Sequence, residues 1–236
     1  MPFLLLASGD DESKELLRRA LEARYGIGAP AIDTLKIEFK GRRRTKLGPI
    51  MTWVPIDGYI YFNAPMAARW DHTMRPVGLP LNTVIDAFDG TIYRKRRGGR
   101  DDIEVVTDSE VIQSIQRCLW AASALLLTPL VEQHIELRSL DERSFSATNT
   151  ETDDTAHVTL NADHTVQSIM VEAYNAAEDE EQKFTLQAEN GQTQIGDLMV
   201  PAKLVALWDD VPEIEVEAVA IEVNPELDED LFRLDD

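Results

Sequence analysis

The chain has 236 residues, of which 44% are apolar and 28% charged, with 23 Lys and Arg against 43 Asp and Glu. It is too apolar for a disordered acidic tail and long enough to bury a core. No uncharged run approaches the roughly 18 residues of a membrane-spanning helix, and a lone cysteine, Cys118, excludes an internal disulfide framework.

The acidity is lopsided. Residues 1–118 carry a net charge of +2 and residues 119–236 a net charge of −22. A formal charge of −20 opposes bulk binding to nucleic acid, which needs clustered cations, so no nucleic-acid partner is expected. Residues 1–9 read as an N-terminal tail or the remnant of a signal. Their apolar stretch, Phe3 to Ala7, is short for a secretory signal and has no Lys or Arg before it.

Asp10 to Tyr25 predicts a helix, with Leu16, Leu17, Ala20 and Leu21 on one apolar stripe and Gly26, Gly28 and Pro30 ending it. The period then changes to two. Leu35, Ile37 and Phe39 alternate with charged residues, and Leu47-Gly48-Pro49 turns the chain into Ile50–Val54. Trp70, His72 and Met74 alternate with Arg69, Asp71 and Arg75, which predicts two opposite faces, the aromatic one inward and the charged one in solvent. Thr83–Phe88 and Thr91–Arg96 flank Asp89-Gly90, which predicts a two-residue hairpin turn.

A second helix is expected over about Ser109 to Leu127, apolar nearly all round from Leu119 onward, so it is either buried or covers an apolar surface, and it is expected as a lid on the half-barrel. Alternation returns at 134–138, 143–150, 155–160, 166–173, 183–188, 192–195, 199–208 and 213–223. No linker divides the chain, so residues 10–236 read as one domain. The order is helix, about five strands, helix, then seven or eight strands. It predicts a mainly β (α+β) fold, one curved antiparallel sheet in an unclosed barrel with an N-terminal and an inserted helix.

No local spacing points to catalysis. His72, His134, His157 and His164 share no zinc-ligand spacing, no nucleophile elbow surrounds any Ser, and Cys118 sits on the apolar helix. No metal, cofactor or catalytic residue is assigned. Two features remain. Trp53, Tyr61, Trp70, His72, Met74, Phe88 and Trp120 are candidates to line a cavity for an apolar chain, although such residues also fill solid barrel cores. Arg42, Arg43, Arg44, Arg94, Arg96 and Arg97, with Arg100 nearby, are candidates to meet an anionic headgroup or an anionic membrane surface; solvated hairpin tips have the same pattern.

Five segments carry a resemblance: Ile32 to Phe39, Arg69 to Arg75, Val84 to Lys95 around Asp89-Gly90, Leu198 to Leu204, and Val223 to Phe232. With the order of elements, they resemble the LolA/LolB-like lipoprotein-carrier superfamily over about residues 10–234. The resemblance implies an incomplete antiparallel barrel around an apolar cavity lidded by helices. It further implies a bacterial, non-enzymatic carrier of a lipid or lipid-modified ligand, in the periplasm or cell envelope, the cytoplasm being the other compartment. Two other readings stay open: a cofactor-free enzyme, because a violacein-pathway enzyme shares this superfamily fold, and an acidic module that docks a basic partner.

Overall fold

The structure, a computed structural model, describes residues 6–234 except 27, 65, 77–79, 81, 99–102 and 197. Residues 1–5 of the expected tail and Arg100 lie outside the described residues. In chain order the strands are β1 (Ser8–Gly9), β2 (Thr34–Leu47), β3 (Ile50–Asn63), β4 (Ala67–Met74), β5 (Asn82–Phe88), β6 (Tyr93–Arg97) and β7 (Ile103–Val106). After a helix come β8 (Ile135–Asp141), β9 (Ser144–Asn149), β10 (Asp154–Leu160), β11 (Val166–Asn175), β12 (Glu180–Ile195), β13 (Leu198–Trp208) and β14 (Val211–Val223). The helices are α1 (Asp11–Tyr25) and α2 (Ser109–Leu126), and short 3₁₀ turns cover Thr128–Val131 and Glu229–Phe232.

All fourteen strands form one sheet in the order β1-β8-β9-β10-β11-β12-β13-β14-β2-β3-β4-β5-β6-β7. Its two ends are not paired, so the barrel is unclosed. β1 pairs with β8 in parallel, which makes the sheet mixed; the other pairs are antiparallel. Strand alternation then sorts the side chains. On β10, Asp154, Ala156, Val158 and Leu160 are buried while the residues between them are not. Following the registers across the sheet puts Val158, Ile169, Leu186, Ala206, Ile214 and Arg43 on one face. Both helices lie on that inner face. Their buried residues Leu17, Leu21, Trp120 and Ala124 join Phe145, Val158 and Ile169 in the main core.

Local chemistry fixes both helices. Asp10 caps α1 by accepting from the Ser13 backbone N–H at 2.8 Å, and its other carboxylate oxygen accepts from the Ser139 N–H of β8 at 2.8 Å. These bonds hold the Asp10 carboxyl below its ordinary range. At the other end of α1, the buried Arg24 donates from Nε to the Met199 carbonyl of β13 at 3.0 Å and from its guanidinium to the Leu125 carbonyl of α2. Tyr25 donates its hydroxyl to the Leu126 carbonyl at 2.7 Å. The last carbonyls of a helix lack partners within it and carry partial negative charge, so a cation and a phenol are suitable caps.

Several expectations change in detail. The segments 183–188 and 192–195 are one strand, β12, because the register against β13 shifts between Glu189 and Gln192, where Asn190 and Gly191 take positive φ. Asp89-Gly90 is part of a four-residue connection, residues 89–92, rather than a two-residue turn. The Asp89 carboxylate accepts from Thr91 N, Thr91 Oγ1 and Ile92 N, which closes a wider loop, and the first pair is Phe88 with Tyr93. β1 and β7, of two and four residues, are too short to show a period. The expected lid helix, α2, does lie on the concave side: it runs along β11, flanked by β10 and β12. Its greasy end is absorbed by two clusters: Trp120, Ala121 and Ala124 in the main core, and Leu119 and Leu126 against Leu35 and Phe62.

The Arg24 contacts give a stability prediction. Arg24→Ala removes two hydrogen bonds from a buried cation and strands two carbonyls, so it should cost about 3 kcal/mol in urea unfolding, and Tyr25→Phe about 1 kcal/mol. Equal midpoints for Arg24→Ala and the parent chain would show that the clamp contributes nothing.

Candidate functional site

The concave face has two halves. Over β8–β13 it is filled by α1, packed on β8, β9 and β13, and by α2, packed on β10–β12, whereas over β2–β6 it holds an open pocket of about 480 Å³. Trp70, His72 and Met74 from β4 and Val84 from β5 line its floor. They share a face because Ile60, Gly58 and Ile56 of β3 pair with Trp70, His72 and Met74, and His72 pairs with Val84. At Gly58 an added Cβ would lie 1.9 Å from the Asp71 carbonyl oxygen, so glycine permits this close approach of β3 to β4 beside His72.

His72 is 1% exposed, and neither ring nitrogen has a hydrogen-bond partner among the described residues. Its ring lies 4.6 Å from that of Trp70, centroid to centroid, and the buried Trp70 Nε1 is also unpartnered. Loss of water around the imidazole, with a smaller repulsion from Arg43, holds the His72 pKa down at about 4. Beside it, the Tyr93 hydroxyl donates to Asp86 at 2.8 Å, and burial with that carboxylate pushes the phenol well above its ordinary range.

Cations ring the opening. Arg43 reaches over the Trp70 ring at 5.9 Å and pairs with Glu213 at 3.0 Å, while Lys95 stands 4.8 Å over the Tyr93 ring. Arg44, Lys46 and Arg97 also border the pocket and make no ion pair among the described residues. A second pocket, of about 380 Å³, opens beside the end of α1. It is lined by apolar residues including Leu21, Ile32, Trp120 and Val131.

The seven cavity candidates do not form one site. Trp70, His72 and Met74 come together as expected. Tyr61 pairs with Arg69, and Trp53 with Arg44, so alternation puts both rings on the outer face, where Arg42 stacks over Trp53 at 4.6 Å. Phe88, 2% exposed, is packed into the sheet, and Trp120, 2% exposed, belongs to the main core and the second pocket. Residue type predicts aromatic bulk, but only register says which face it occupies. The six arginines divide likewise. Arg42, Arg94 and Arg96 lie on the outer face, Arg42 bound to Glu215 and Arg94 to Asp89, each at 2.7 Å. Arg43 and Arg97 face inward, and Arg44 reaches the rim at the far end of the β2–β3 hairpin.

The expectation for the outer face of β4 also needs correction. Arg69 and Asp71 do oppose Trp70, but Arg69 is not solvated: it pairs with Asp71 at 2.7 Å and donates to the Leu231 carbonyl at 3.0 Å. The C-terminal turn covers this patch, with Leu234 buried against Ile85 and Ala87. Lys46 and Lys95, from the two basic clusters of the sequence, and Tyr93, from its aromatic set, also border the pocket. Alternation signals Lys95 and Tyr93, since Lys95 pairs with Asp86, which itself pairs with Trp70, whereas Lys46 has the outward parity and reaches the rim only at the hairpin end.

The depressed His72 pKa has a defined consequence. Above pH 6.5 the imidazole is neutral in the folded and unfolded chain alike, and its full contribution to stability is present. As pH falls from 6.5 to about 4 the unfolded chain takes up a proton that the folded chain refuses, so stability declines, then levels off. His72→Phe should therefore lose about 2 kcal/mol less stability than the parent between pH 7 and pH 4.5. Identical losses on urea unfolding would remove His72 as the source.

Two solved structures resemble this one across most of their length. A LolA superfamily protein, NE2245 from Nitrosomonas europaea, superposes with a TM-score of 0.52 at 10% identity, covering 93% of this chain and 96% of that one. A DUF1329 family protein from Desulfovibrio piger superposes with a TM-score of 0.51 at 10% identity, covering 94% and 98%. The fold is LolA-like. No curated protein matches the chain. The model of a family of unknown function, DUF6544, matches residues 15–215, and the chain belongs to that family.

Proposed function

We propose that this chain is a binding or carrier protein for a lipid or lipid-modified ligand, held on the part of the concave face that α2 leaves open. The observation that carries this reading is the pocket of about 480 Å³, whose floor of Trp70, Met74 and Val84 surrounds the unpartnered His72. A pocket of that size is within the range of small-molecule sites, and an apolar floor beneath a charged rim suits a ligand with both an apolar and a polar part. The likeness to LolA superfamily structures supports the carrier reading at the level of fold. With it goes a periplasmic or envelope location.

A cofactor-free enzyme is the second reading, and His72 favours it, being a buried imidazole with a displaced pKa. Against it, His72 has no hydrogen-bonded carboxylate or hydroxyl among the described residues to orient it as a base. Cys118 is no better a nucleophile, because desolvation pushes its thiol up to about 12.

Native mass spectrometry of protein purified from its source distinguishes these readings. A carrier should bear an acyl-containing adduct that organic extraction releases, and the extracted protein should take up monodecanoylglycerol or decyl phosphate, with Trp70→Ala weakening uptake about tenfold. Protein that leaves the cell bare and takes up neither compound would contradict the proposal.

A further inference from the structure

We infer that the ligand of the concave pocket carries an oxyanion, a phosphate or carboxylate group, and that Arg43, Lys46, Lys95 and Arg97 receive it above the Trp70 and His72 rings. This deepens the proposed function and rests on it for the apolar part of the ligand.

The first observation is a contrast in pairing between the cations along the outer face and those that border the pocket, two of which, Lys95 and Arg97, face inward while Lys46 reaches it from the end of the β2–β3 hairpin. On the outer face of β2–β6 the cations are neutralised: Lys36 by Glu222, Arg42 by Glu215, Arg69 by Asp71, Arg75 by Asp57 and Arg94 by Asp89. Around the pocket, Lys46, Lys95 and Arg97 have no ion-pair partner among the described residues, although the chain holds 43 acidic side chains to 23 basic ones. With acids in such excess, unpaired cations gathered at one concavity are a built positive field. The two carboxylates that border it are already engaged, Glu213 with Arg43 and Asp86 with the Tyr93 hydroxyl.

The second observation is independent. Trp70 Nε1 and both nitrogens of His72 are buried without partners beneath those cations. A buried donor without an acceptor costs about 1–3 kcal/mol, and native proteins seldom leave three such atoms at one place. Indole offers only a donor, and neutral imidazole one donor and one acceptor. An oxyanion has several lone pairs, so one group accepts from the indole and the imidazole N–H and still faces the ammonium and guanidinium groups. A neutral hydroxyl headgroup leaves the cations unpaired.

Isothermal titration calorimetry of the full chain tests this with three probes below their aggregation limits: decyl phosphate, monodecanoylglycerol and inorganic phosphate. Decyl phosphate should bind at least about tenfold more tightly than monodecanoylglycerol, the corresponding affinity for one charge-assisted contact. The double variant Lys95→Gln/Arg97→Gln should remove that advantage and leave monodecanoylglycerol binding within about twofold, while Lys36→Gln on the outer face changes neither. Higher salt should weaken only the phosphate arm. Equal affinities for the two decyl compounds would overturn the oxyanion and leave the carrier reading standing. Inorganic phosphate bound as tightly as decyl phosphate, and lost in the double variant, would support the oxyanion site and overturn the lipid. Binding of none of the three would overturn both.

Discussion

Arg24 and Tyr25 hold the C-terminal carbonyls of α2, and much of the molecule's asymmetry depends on that junction. At the other end of the eighteen-residue helix, Ser114 donates to the Tyr174 carbonyl at 2.7 Å and Arg117 pairs with Asp154 at 3.4 Å, so the clamp fixes the end that these contacts do not reach. With it, the helix is drawn along β11 and its apolar end is divided between two clusters, so one half of the concavity is filled and the other left open. Arg24 is expensive to bury, and desolvation lowers its pKa. Its partners are two carbonyl oxygens, that of Met199 in β13 and that of Leu125 at a helix end where backbone dipoles favour a cation, and no carboxylate has to be desolvated with it.

Charge is sorted by the same geometry. Part of the −22 of the second half of the chain lies on β14, whose Glu215, Glu217 and Glu222 neutralise the outward cations of β2. Antiparallel pairing brings these acids directly opposite Arg42, Lys40 and Lys36. The inward cations escape this ladder, apart from Arg43, which meets Glu213 beside the register shift in β14's pairing with β13. A strongly acidic protein therefore keeps a positive interior rim. Net charge alone describes it poorly.

Much of the fold was legible from periodicity. The helix 11–25 and the alternation of β10 and β4 follow from spacing alone, and the LolA-like order of elements follows from their sequence. The site was only partly legible. Trp70, His72 and Met74 were found together because they alternate within one strand. Trp53 and Tyr61 were grouped with them by residue type, and only the pairing of Ile60 with Trp70 shows that they face the other way. Arg44, on the outward parity, reaches the pocket at a hairpin end, and the covering of Arg69 depends on a C-terminal turn 162 residues away. Such long-range contacts leave no local period to read.

The central claim is that the unpartnered indole and imidazole beneath the cationic rim are ligand donors. The most direct measurement follows the four indole N–H resonances in ¹H–¹⁵N spectra during addition of decyl phosphate. The Trp70 Nε1–H should move far downfield as it gains an acceptor, with Trp53, Trp120 and Trp208 nearly still. Displacement of Trp120 with Trp70 unmoved would contradict it, and would put the ligand in the apolar pocket beside α1 instead.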